Sequence, residues 1–343
     1  MDSAYWECPT SVPPKDVLYV VSVLVACFSL LFNLGLFVLL LLLRGKAMMF
    51  LVHLRALIAG AVLHSFIDVC NYLMPRRLFP TDSLFAPTLC HLWISNYLPM
   101  VCLAFMALVL NFIVGNRAIQ IACRYQYSFS TSLLTNLAYV VGMGLLSITV
   151  MLPQALIVYW DGKRCRCRDT NLAYGLLVSL YTETFVHFGL SVVISATILG
   201  KSCHKIITWV RNTPADQLSD TWNNLAFSCT TKEQIETFSR PQGWMTASMC
   251  TLPLSVAYII PTIFKSGHEF LCASGVCKLA RDSLLFRVGN MLVDIQLLIL
   301  PIIIIIFIPA LRDLPVHLCQ RTSWLIKEHC RTAPTEELDS RIS

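Results

Sequence analysis

A chain of 343 residues with 56% hydrophobic and only 13% charged residues is too apolar for a water-soluble globule, in which about 25% of residues are charged. The formal net charge of +6 does not make a nucleic-acid surface, because the basic residues are scattered among loops and form no basic helix or stripe. With a mean hydropathy of +0.65, the excess apolar surface is directed at lipid.

Runs of about 20 mainly apolar residues, enough to cross a bilayer, occur seven times. They predict an all-α membrane protein: a seven-transmembrane helix bundle with a short amphipathic helix after the last span. The expected spans are Val17–Leu43, Ala47–Met74, Cys90–Ala122, Leu133–Trp160, Asn171–Gly200, Trp244–Phe264 and Leu284–Leu311. The second is weak, since it holds His53, Arg55, His64 and Asp68. The first is too long for a signal-peptide core and has no small-residue cleavage site. Lys15 precedes it and Arg44 and Lys46 follow it, which places residues 1–16 outside the cell. Residues 17–311 then form the bundle, residues 201–243 a long cytoplasmic loop before span six, and residues 312–343 a cytoplasmic tail. The expected location is the plasma membrane.

Ionisable groups at membrane depth are rare and usually functional. Here they are Asp68, Glu183 and Asp294, with His64 and His187, and with Arg287 near the outer end of span seven. Prolines at Pro99, Pro153, Pro253, Pro261, Pro301 and Pro309 are expected to kink their helices. Of the 15 cysteines, Cys27, Cys70, Cys102 and Cys250 lie in apolar runs and read as packing residues. No pair of CxxC motifs has zinc spacing. Outside, cysteines oxidise. Cys90 is expected to bridge either Cys167 or Cys165. Cys272 and Cys277 either close a small ring or one of them pairs with Cys8. Outer Arg76, Arg77, Lys163, Arg164, Arg166 and Arg168 either confer solubility or attract an acidic small molecule or a peptide. Cys319 and Cys330 lie beside Trp324, Leu325 and Ile326 and are candidates for palmitoylation.

Seven spans, an outside N-terminus, a long loop before span six and a short tail resemble the rhodopsin-like G-protein-coupled receptors. Asn33 looks like that family's span-one asparagine. Asn116-Arg117-Ala118 resembles a degraded Asp-Arg-Tyr, and Cys250-Thr251-Leu252-Pro253 resembles Cys-Trp-Leu-Pro. Leu300-Pro301-Ile302-Ile303-Ile304 stands in the place of Asn-Pro-x-x-Tyr. The isoleucine tract after Ile299-Leu300-Pro301, followed by Arg312-Asp313-Leu314, is similar to betaherpesvirus receptor homologues. Departures are clear. Span two reads Ile58-Ala59-Gly60-Ala61-Val62 where the family has an aspartate, span four lacks its tryptophan and span five its proline. Span seven has no lysine for a retinal Schiff base, and Asn96–Pro99 has no aspartate for a biogenic amine.

The resemblance implies a ligand pocket near Tyr97, Glu183, Tyr258, Arg287 and Asp294. It implies movement of span six about Pro253, with Pro301 as a second switch. A heterotrimeric G protein would meet Asn116, Arg117, Lys201 and Lys205. Lipid is the other partner, and no cofactor or metal is implied. An ion- or proton-coupled transporter or channel is the rival reading, and a non-signalling bundle with a trafficking role is another. An enzyme is not expected, since neither HExxH nor GxSxG occurs.

Overall fold

The computed structural model describes residues 5–8, 15–45, 47–73, 85–123, 132–168, 172–214, 218, 220–228, 230, 232–240, 242–280 and 282–314. Cys319, Cys330, Arg76 and Arg77 lie outside them. The protein is an all-α bundle with, among the described residues, seven helices long and apolar enough to cross a membrane: Val17–Leu42, Met48–Leu73, Tyr97–Ala122, Leu133–Ile157, Tyr174–Asn212, Ala247–Ala273 and Leu284–Phe307. They are numbered here as spans one to seven.

Span one explains why these helices suit lipid. Its buried residues are Ser22, Ala26, Ser29, Asn33, Leu36 and Leu40, alternating by three and four along one face. Most are small or polar. The opposite face exposes Leu24, Phe28, Leu31, Val38 and Leu42. Small residues let helix backbones approach, and large apolar ones face the acyl chains. Span two is the centre of the bundle, 67% buried over its apolar window, whereas span four is 22% buried at the rim. Gly60 of span two sits where an added Cβ would lie 2.9 Å from Met106 of span three, so these two helices meet closely at that point. The main core runs through spans one, two, three, five, six and seven, around Leu54, Val109, Ile113, Leu199, Leu254 and Ile304.

Three span boundaries differ from the expected ones. Span three starts at Tyr97, not Cys90, because Asn96 adopts a left-handed φ of 68° and breaks the helix. Asparagine tolerates that conformation better than most residues. The lead-in is a short helix, Ala86–Leu89, that widens into a π-turn at Cys90–Ile94. Span five continues past Gly200 to Asn212. Its buried Leu199, Ser202, Cys203, Ile206 and Val210 keep helical spacing while Lys201 and Lys205 stay exposed, so the helix outlasts its hydropathy. Span six starts at Ala247 with a 3-10 turn and extends to Ala273, carrying Lys265, His268 and Glu269 beyond the expected end.

Of the expected proline kinks, Pro261 and Pro301 lie inside helices. Pro253 does not. It falls in the first turn of the α-helix Thr251–Ala273, where no backbone N–H has a helical partner to lose. It therefore marks the passage from 3-10 turn to α-helix at the start of span six. After span seven, a break at Ile308 leads into a short helix, Pro309–Arg312.

Candidate functional site

Three polar constellations stand out, one at each end of the bundle and one inside it. At the end where span three finishes, Arg117 is completely buried. Its Nη2 donates to Asp220 Oδ1 at 2.7 Å, its Nε to Ser248 Oγ at 2.5 Å, and its Nη1 to Gln120 Oε1 at 3.1 Å. The guanidinium lies 4.9 Å from the Trp222 ring centroid and 5.4 Å from that of Trp209. Asp220 is as fully engaged. Besides Arg117 it accepts the Trp222 amide at 3.0 Å, the Thr246 hydroxyl at 2.5 Å and the Ser248 amide at 2.8 Å. A buried ion pair is tolerated when its remaining lone pairs and protons find partners, as here.

Asp220 belongs to the loop between spans five and six, which folds back under the bundle. Leu218, Trp222, Leu225 and Phe238 join the main core. Trp222 stacks on Phe50 of span two, with ring centroids 3.8 Å apart and planes 5° apart. Ala226–Phe227 pairs antiparallel with Leu43–Arg44. Beside that pairing Arg55 donates to the terminal carbonyls of span one, at 2.9 Å to both Leu40 and Leu43. Asn116 is buried next to Met49, while Lys201 and Lys205 are exposed on span five. The expected G-protein contacts thus divide: Asn116 and Arg117 are buried, and Lys201 and Lys205 are exposed.

At the other end, Cys165 and Cys167 sit two apart on one strand, so both side chains leave the same face. Cys165 takes Cys90 and Cys167 takes Cys8. This settles the choice for Cys90 in favour of Cys165. Cys272 and Cys277 close their own ring, so Cys8 is not their partner. The N-terminal segment is thereby pinned into the bundle mouth. Trp6 is buried, with Nε1 donating to the Arg168 carbonyl at 2.9 Å, and Tyr5 Oη lies 2.6 Å from Thr184 Oγ1. Trp6–Glu7 pairs in parallel with Leu279–Ala280. Beneath this cap is a cavity lined by Trp6, Asn96, Gln154, Glu183, Glu269 and Phe286 among others.

Of the five residues expected to share a pocket, Glu183 lines this cavity. Tyr97 turns to span four and donates to the Ile148 carbonyl at 3.0 Å, and Tyr258 faces Ser191 at 3.4 Å. Arg287 grips Asp16 with both Nη atoms, at 2.9 and 2.5 Å. Those bonds, and then the Tyr19 amide, lower the Asp16 carboxyl to about 2. Asp294 lies deeper. The five do not converge, because depth along a helix says nothing about the direction its side chain faces. Among the outer basic residues, Arg166 pairs with Asp161 at 2.6 Å and Arg168 lies 4.9 Å from the Tyr159 ring centroid. The Arg164 and Lys163 amides hold the Asp161 carboxyl below its ordinary range.

Inside the bundle, Asn33 Nδ2 donates to the Leu297 carbonyl at 2.8 Å and joins span one to span seven. The Ser29 and Ser65 hydroxyls are 2.9 Å apart. His64, Asp68 and Asp294 cluster one turn away, with Tyr72 Oη donating to Asp294 Oδ2 at 3.5 Å. His187 borders a second, apolar cavity between spans three, four and five.

The sequence reading missed Asp220, Trp222 and Ser248. The signal was present in Leu218, Trp222 and Leu225, spaced like one face of a helix inside a loop that otherwise reads as polar. The sequence matches no protein-family model and no curated protein.

Proposed function

We propose that this chain is a plasma-membrane receptor of the G-protein-coupled kind, with the disulfide-tied end outside and the Arg117 end facing the cytoplasm. The observation that carries the reading is the sealed Arg117. A guanidinium at the end of span three sits under a segment held by hydrogen bonds, one ion pair and stacking, with no disulfide among the described residues. A ligand-driven change at the far end then acts by shifting the balance between docked and released loop. Release would uncover Asn116 and Arg117 beside the already open Lys201 and Lys205, which is a basic surface for a heterotrimeric G protein. Outside, the acidic lining of Glu183 and Glu269 favours a cationic group on the ligand, whether a peptide or a small molecule.

The test is recruitment of a panel of G proteins in cells, without added ligand, at matched surface expression. Asp220→Asn is expected to raise basal recruitment above wild type. Arg117→Ala, which also breaks the pair, is expected to abolish it. Equal recruitment by both variants would remove Arg117 from coupling. A transporter is the second reading, favoured by the buried His64, Asp68 and Asp294 group. Ion or proton flux in vesicles, without G-protein recruitment by any variant, would select it.

A further inference from the structure

The group at the middle of the bundle has chemistry that a signalling bundle does not require. His64 and Asp68 are one helical turn apart on span two, and Asp294 faces them from span seven. One ligand atom from each lies within 4.8 Å of the others. His64 is 3% exposed and Asp294 is 1% exposed. Two carboxylates this close in a low-dielectric interior are stable together only when they share a proton or another cation. No lysine or arginine forms an ion pair with either of them among the described residues.

An independent observation concerns the imidazole. His64 Nδ1 is buried 2.9 Å from Asp68 Oδ2, without the alignment of a hydrogen bond. A buried ring nitrogen rarely forgoes a partner. Contrast Arg117, whose buried charge is met on every side by donors and acceptors of the chain.

We propose that His64, Asp68 and Asp294 form a zinc-binding site that clasps span two to span seven. One imidazole nitrogen and two carboxylate oxygens are the mixed donor set that suits zinc, whereas calcium takes six to eight oxygens. Two carboxylates cancel the charge of a divalent ion, so the filled site is neutral in the interior. Ligand atoms around a tetrahedral zinc with bonds of about 2.1 Å lie roughly 3.4 Å apart. The His64–Asp68 distance is already shorter than that, and Asp294 needs only a side-chain rotation. The fourth position is left for water or for a donor from a bound ligand. Filling the site stabilises whichever bundle state brings span two and span seven together. The site stands independently of the coupling reading, since binding to the purified chain needs no G protein.

The test uses the full chain, purified into nanodiscs, stripped with a chelator and re-equilibrated with zinc chloride alone. Wild type should retain one zinc per chain after desalting, with a rise in unfolding temperature that magnesium or calcium does not reproduce. His64→Gln and Asp294→Asn should each lose the retained metal, weakening affinity beyond the roughly 10–100-fold that outer-shell changes cost. Metal retained unchanged by both variants, or no retention by wild type, overturns the site. X-ray absorption on zinc-loaded wild type covers the case in which a variant fails to fold. The proposal requires nitrogen and oxygen neighbours at about 2.0–2.1 Å. Sulfur neighbours, which would place the metal on cysteines, overturn it.

Discussion

The two ends of the bundle are both closed, but by different chemistry. At one end, Cys8–Cys167 and Cys90–Cys165 fasten the N-terminal segment and the Val158–Cys167 hairpin to the helices covalently. At the other, the segment around Asp220 and Trp222 is buried and is fastened without a disulfide among the described residues. A cross-linked cap changes shape without leaving. A cap held by one ion pair, hydrogen bonds, a short strand pairing and packing is weakened by the loss of any of them. The difference makes the Arg117 end the one that the proposed partner would open.

Breaking the noncovalent closure should have the largest effect. Asp220→Asn leaves Arg117 buried without its counter-charge, which costs about 3–5 kcal/mol. Limited trypsin digestion should then cut after Lys232 much faster than in wild type. An unchanged digestion rate would mean that the ion pair does not hold the loop. Next in size, Cys90→Ser should lower stability by about 2–4 kcal/mol in thermal unfolding while leaving the loop as resistant to trypsin as before. Linked changes at both ends would dissolve the contrast. Cys272→Ser should cost less than Cys90→Ser, because its bridge spans 5 residues against 75.

Gly45→Ala sharpens the comparison by wedging the noncovalent cap from below. Its Cβ would lie 2.8 Å from the Asn224 carbonyl oxygen and 3.3 Å from Leu225 Cα, backbone atoms that cannot swing aside. Overpacking of this kind costs about 1–3 kcal/mol, so trypsin sensitivity should fall between wild type and Asp220→Asn. The smallest effect belongs to the exposed Asp16–Arg287 clasp. Its folded-state carboxyl is lowered to about 2 from an ordinary 3.8. The stability it adds is therefore present above pH 3.8 and lost as pH falls through about 2. Wild type and Asp16→Asn should differ slightly in unfolding temperature at pH 5, and the difference should vanish on acidification to that point.

The seven spans were legible because lipid demands long apolar runs, and such runs survive any local ambiguity. Their ends were less so. Span five outlives its hydropathy because Ile206 and Val210 continue the buried stripe between lysines, and span three stops at an asparagine that looks like any other polar residue. Asp68, Glu183 and Asp294 could be picked out as ionisable groups at depth, and Arg117 by its likeness to the arginine of Asp-Arg-Tyr. Their directions could not, since a composition window carries no helical phase. Asp220 was beyond reach for another reason: its partner lies 103 residues away, and its own surroundings read as a solvated loop. Cys165 and Cys167 were equivalent by spacing, and only the fold assigns one to Cys90 and the other to Cys8.

The most direct measurement is hydrogen exchange at the Trp222, Ala247 and Ser248 amides, whose partners Asp220 and Asn223 belong to the docked loop. Full-length chain in nanodiscs would be followed alone, with a nucleotide-free heterotrimeric G protein, and as Asp220→Asn. Strong protection in the free chain, lost with the G protein and already lost in the variant, is the expected result. Protection that persists while the G protein is bound would contradict a closure that opens at the Arg117 end.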